Sequence, residues 1–162
     1  MRAFLGPFAP LIKDAVCAAA IGFLLPVLFA GNDSSAGQGT GVSGKGTLSP
    51  CPSSPNCVSS RDPDPAHRVD PILFTGDPAS GWSRLRNVST AMKGARIAEE
   101  ETGYLHEEFR SALFGFVDDV EFRMDEPAGR IDVRSASRTG YYDFGVNRRR
   151  VEEIRARFSR EL

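Results

Sequence analysis

Apolar and charged positions alternate on both sides of Glu126-Pro127-Ala128-Gly129, so residues 120–137 predict a single β-hairpin. With that tetrapeptide in the turn, Met124 faces Ile131 and Phe122 faces Val133 on one side of the hairpin. The same alignment sets Asp125 against Arg130, Arg123 against Asp132 and Glu121 against Arg134 on the other side. A slip of one residue would lose both sets of pairs, so the pattern specifies its own register. Two shorter alternating runs precede the hairpin, 95–100 and 104–110, and Thr102-Gly103 supplies a tight turn between them. Leu105 and Phe109 share a face, which gives Glu107 between them an inward parity, while His106 points the other way and reads as exposed and solvated.

Periodicity changes on either side of these strands. Asp77-Pro78 forms a helix start, Trp82, Leu85, Val88 or Ser89, and Met92 recur at helical spacing, and Gly94 closes the element. At the other end Val151, Ile154, Phe158 and Leu162 mark a last helix, with Asn147 as its cap. The expected fold is α+β: a mainly antiparallel four-stranded sheet, with a preceding helix and a C-terminal helix packed on it. Between the two strand pairs, Leu113, Phe114, Phe116 and Val117 surround Gly115; the reading expects them to plug the core, against a competing reading as an apolar lip for a lipid or partner. Asp118-Asp119 reads as a turn or the start of a strand, because neighbours on a strand face opposite ways and make no acid/base pair.

The N-terminal pattern is of another kind. Residues 15–30 are apolar and uncharged, with Arg2 and Lys13 before them. The block is shorter than the ~20 residues of an ordinary spanning helix and contains Pro26, the layout of a secretory signal. Ser34-Ser35-Ala36 offers a cleavage site before Gly37, and a short uncleaved anchor is the other outcome. The expected organisation is 1–36 as signal peptide or membrane anchor, 37–47 as a flexible Gly/Ser linker, and 48–162 as the domain. This places the protein on the extracytoplasmic side of a cell envelope, secreted or held by the N-terminal segment.

A formal net charge of −1 leaves no field to draw nucleic acid. In an exported chain, Cys51 and Cys57, six positions apart with prolines between them, read as a small disulfide loop. His67 stands alone among Pro and Asp, so no zinc set is completed and neither metal nor cofactor is expected.

The segments LSPCPSSPNCVSS, GYLHEEFRSALFGFVDDVEFR and IDVRSASRTGYYDFGVNRRRVEEIR occur in this order and resemble the bacterial and plastid DUF1499 family across residues 48–162. The resemblance implies an export signal or membrane anchor, which many members carry. It supplies no catalytic or ligand residues.

Candidate chemistry therefore comes from residues at odd placements. Glu107 is an inward carboxylate, to be paired at a sheet margin or to serve as a pocket group of raised pKa. Ser135 and Ser137 continue the core face of the hairpin and leave room for water, a packed helix or a ligand. Arg138, Arg148, Arg149 and Arg150 suit an anion-binding rim over the Ser137 end. They equally suit a surface loop stapled to the core by Tyr141, Tyr142 and Phe144, with the arginines solvated or paired to Glu152 and Glu153. The expected site is Glu107, Arg134, Ser135, Ser137 and Arg138, between sheet and C-terminal helix. The expected function is an exported, membrane-tethered binding or interaction module for an anionic or lipidic small molecule or an envelope protein. A hydrolase using Glu107 or Asp119 as base is the alternative; no nucleophile motif or phosphate-cradling loop supports it.

Overall fold

The computed structural model describes residues 46–160. The expected signal or anchor, nearly all of the expected linker, and Leu162 lie outside the described residues. In chain order the elements are β1 (Cys57–Ser59), β2 (Ile72–Leu73), α1 (Pro78–Thr90), β3 (Ala95–Glu101), β4 (Tyr104–Arg110), β5 (Val117–Asp125), β6 (Arg130–Ser137) and α2 (Val146–Arg160). The sheet is antiparallel, ordered β1-β6-β5-β4-β3, with β2 also paired to β6. The four long strands are those anticipated from the alternation; β1 and β2, short pieces of the N-terminal extension, raise the count to six.

The β5–β6 hairpin adopts the expected register, from Met124 opposite Ile131 and Phe122 opposite Val133 to Glu121 opposite Arg134. Its apolar face packs under α1 and α2, where Leu85, Leu105, Val120, Phe122, Val133, Ile154 and Phe158 are fully buried. The Asp77 carboxylate caps α1 by accepting from Ser80 N–H at 2.9 Å, as the sequence pattern requires. Gly94 is indispensable beyond it: φ is +86°, and a Cβ there would sit 2.6 Å from the Arg110 carbonyl oxygen. The start of α2 differs from expectation. Asn147 lies inside the helix, and Asp143 accepts its backbone N–H at 2.8 Å. The edge strand β3 pairs only with β4 among the described residues and carries a register shift between Ile97 and Glu99.

The extension is pinned by the Cys51–Cys57 disulfide and by His67, whose Nδ1 lies 2.9 Å from the Cys57 carbonyl oxygen. No helix among the described residues is long and apolar enough to cross a membrane.

Candidate functional site

Alternation gives the sheet two chemically distinct sides. On the outer side, away from the helices, Tyr104, His106, Asp119, Glu121, Asp132 and Arg134 are all buried. His106 corrects its sequence reading: it is 3% exposed, and its Nε2 lies 2.6 Å from Asp119 Oδ1. Asp119 also accepts from Arg138 Nε at 2.9 Å and Nη2 at 2.7 Å, and Arg138 Nη2 donates to Glu108 at 2.6 Å. Glu121 accepts from the Tyr104 hydroxyl at 2.9 Å and from Arg134 Nη1 at 3.0 Å. Burial alone would lower the His106 pKa, but the hydrogen bond and charge of Asp119 hold it above its ordinary value. Burial likewise opposes the ionised form of Asp119, yet the bonds from His106 and Arg138 keep its pKa below the usual carboxylate range. Burial and the neighbouring Glu121 push the Tyr104 phenol up. Each acid of the network is answered by a cation or a donor, and on the donor side Arg134 Nε is left without a partner.

On the helix side, Glu107 is fully buried as its parity required. Its Oε1 accepts from the Ser89 hydroxyl of α1 at 3.0 Å, and Oε2 has no partner. Burial pushes its pKa up to about 7, against the Ser89 hydrogen bond that favours the ionised form. Ser135 and Ser137 both meet Asn147 of α2: the Ser135 hydroxyl donates to Oδ1 at 2.6 Å, and Nδ2 donates to Ser137 Oγ at 3.0 Å. The room left by these small residues is filled by the helix. Arg134 and Arg138 lie on the other side of the sheet, in the outer network. The five expected site residues therefore do not converge; Ser135 and Ser137 come together, Glu107 stands alone under α1, and the two arginines are separated from them by the sheet itself.

The register aligns Ala95, Phe109, Asp118 and Ser137 in a row across one end of the sheet. At this end a cleft of about 620 Å³ opens between the C-terminal end of α1, the start of α2 and the last residues of β4. Met92, Phe109 and Val146 give it apolar walls, and Lys93, Arg110, Arg149 and Arg150 line it with cations. Arg150 is the structural member of that set: it donates to Asp118 at 2.6 Å and to Asn147 Oδ1 at 2.8 Å, and stacks 4.7 Å over the Phe109 ring. Asp118 and Asp119 belong to β5 and diverge as strand neighbours must, Asp118 to Arg150 and Asp119 to His106. The expected arginine rim is only partly assembled. Arg149 and Arg150 reach the cleft, whereas Arg148 turns away to the Ala66 and Arg68 carbonyls. Glu152 and Glu153 pair with Arg155 and Arg157, not with the Arg148–Arg150 run.

The loops beside the cleft are the other correction. Leu113, Phe114 and Phe116 plug nothing; Leu113 is 82% and Phe114 71% exposed. Tyr141, Tyr142 and Phe144 staple nothing to the core and are likewise exposed, with Phe144 at 77%. Met92 and Phe109 in the cleft had been legible only as core positions, because neither residue signals the gap left beside it.

A second cleft, about 370 Å³, lies at the opposite end of the sheet, where Arg61, Arg123, Asp125 and Asp132 mix both charge signs around Thr102-Gly103. Gly46 rests there on Arg123: a Cβ on it would stand 3.2 Å from Nη2. Asp132 is already engaged by the Ser60 hydroxyl at 3.0 Å and by Arg61 at 3.4 Å.

The family model described as "Protein of unknown function (DUF1499)" matches residues 47–158, and the chain belongs to that family. A comparison with curated proteins finds no match.

Proposed function

Starting from a family that carries no assigned activity, we propose that this protein is an exported binding module. It holds an anionic amphiphile, with an acidic head and an apolar tail, in the cleft between β4, α1 and α2. The observation that carries this reading is the pairing of apolar walls, Met92, Phe109 and Val146, with the cations Lys93, Arg110 and Arg149. Among the described residues, none of these three cations has a carboxylate partner. Arg110 and Arg149 bind only the carbonyls of Gly115 and Phe144. A carboxylate or phosphate head would meet them while its tail lay along Phe109 and Met92. The Cys51–Cys57 bridge supports an oxidising, extracytoplasmic setting, and the sequence of residues 1–36 supports export.

Native mass spectrometry of the protein purified from its own host tests the reading. The expected result is a retained acidic amphiphile that is lost from Met92→Glu and Arg149→Glu variants. A bare protein, or an adduct kept by both variants, would overturn it.

The second reading, a hydrolase using an inward carboxylate, has the raised pKa of Glu107 in its favour. Neither cleft reaches that carboxyl, and Asp119 is committed to His106 and Arg138.

A further inference from the structure

We infer that the loops at residues 111–116 and 141–146 form a docking lip that inserts into an anionic lipid bilayer. This goes beyond the cleft's ligand and does not require the cleft to be filled.

Among the described residues, every exposed large apolar side chain except Leu73 sits on these two loops or, in the case of Val146, at the first position of α2 where the second loop ends. Both loops lie at the same end of the sheet, since Arg138 N–H, leading into the second, donates at 3.0 Å to the carbonyl of Val117, where the first ends. Scattered surface apolar residues need no explanation, but a concentration on two loops at one end of a sheet marks a contact surface. The side chains are of interfacial type, aromatic rings and a leucine, with hydroxyls on Tyr141 and Tyr142.

The lip is built and not merely left over. Ser111 N–H donates to the Phe116 carbonyl at 2.8 Å and Gly115 N–H to the Ser111 carbonyl at 3.1 Å, closing the first loop on itself. In the second, Phe144 is held at φ +54°, a left-handed conformation that bulky side chains rarely adopt, and its ring is exposed. The Tyr142 and Phe144 rings pack edge to face at 5.1 Å. A tip already ordered loses little conformational freedom on insertion.

Charge selects the partner. Arg110 and Arg149 are anchored to carbonyls of the lip loops themselves, at Gly115 and Phe144, so each cation is fixed beside the rings. Lys93 joins them at the cleft mouth. Of the acids at this end, Asp118 is paired with Arg150 and Glu153 with Arg157, while Asp143 keeps its charge and turns it onto the N–H groups of Gly145 and Asn147. Rings flanked by cations without carboxylate partners match the boundary between acyl chains and acidic headgroups.

The test places a reporter in each loop of the full chain, Phe114→Trp and, separately, Tyr142→Trp, with the native Trp82 as internal control. Vesicles of phosphatidylglycerol and phosphatidylcholine brominated on the acyl chains should quench both new tryptophans by roughly half and leave Trp82 unquenched. Because the readout is the depth of the lip itself, it is independent of how the N-terminal block is held. Reversing Lys93, Arg110 and Arg149 to Glu should raise the lipid needed at least roughly ten-fold. Met92→Ala, which removes an apolar wall of the cleft without adding charge, should leave the quenching intact while releasing the amphiphile, so failure of the amphiphile reading and failure of the lip are separable. Unquenched lip tryptophans, equal quenching by purely neutral vesicles, or loss of quenching in Met92→Ala would each overturn the inference. Unquenched tryptophans in a chain that sediments as a dimer would replace the bilayer with a second copy of the protein.

Discussion

On the helix side of β4, β5 and β6 lie Leu105, Val120, Phe122 and Val133. One residue along each strand, on the outer side, lie His106, Asp119, Glu121 and Arg134. Both sets are buried. The apolar side is held by packing under two helices and includes one badly housed group, Glu107, whose Oε2 has no partner. The polar side is held by closure, each charge answered by another. The contrast teaches that ionisable density does not mark a site in this molecule. The outer network spends its charges on one another and leaves only the buried Arg134 Nε without a partner, whereas three cations without carboxylate partners stand at the sheet's end, where neither side is complete. Availability, more than polarity, locates the candidate surface.

The strongest way to break the comparison is to open the closed network. Arg134→Ala strands Glu121 with only the Tyr104 hydroxyl, and should lower unfolding free energy by about 3–5 kcal/mol in urea titrations. Replacing both partners by apolar residues of similar volume should cost much less. An equal loss in the double variant would show that the outer side is held by more than closure.

Next in size is the orphan on the helix side. The folded pKa of Glu107 is raised from 4.5 to about 7, so its share of stability is intact below pH 4.5 and is lost as pH rises to about 7, a change of about 3 kcal/mol. Glu107→Gln should flatten the urea stability profile across that window. His106 adds a loss of the same sign: its folded pKa lies above 6.5, so its contribution is complete below 6.5 and disappears as pH rises beyond it. A profile unaffected by Glu107→Gln would remove the distinction between the two sides.

Reduction of Cys51–Cys57, which frees the extension beside the outer network, should cost about 2 kcal/mol, because the ring it closes is small. Comparing thermal melts with and without reductant measures it. The smallest effect is expected at the lip, where Phe114→Ser should change stability by no more than about 0.5 kcal/mol, the behaviour of a surface residue that serves something other than the fold. A larger loss would return Phe114 to the core.

What could be read in advance follows the reach of the signal. The hairpin register, the inward parity of Glu107 and the Asp77 cap depend on neighbours in the chain or directly across a turn, and all were legible. The burial of His106 was not, since its partner Asp119 lies on the next strand and an isolated histidine among glutamates reads as solvated. The core reading of Leu113, Phe114 and Phe116 failed because an apolar run carries no mark of whether it turns in or out. Ser135 and Ser137 did give a signal: small polar residues on an apolar face require a partner, and Asn147, within α2, supplied it. Arg134 and Arg138 were grouped with those serines although strand parity already set Arg134 on the opposite side.

The bulged edge strand β3 has a consequence for crowding. Glu99, Glu100 and Glu101 cluster along it, so a long strand flank that has no neighbour among the described residues presents like charge and a broken ladder to any identical copy. If the lip gathers many molecules onto one membrane, they would repel flank to flank and would not zip into a continuous ribbon. High surface density could then be reached with each domain still standing as a separate unit.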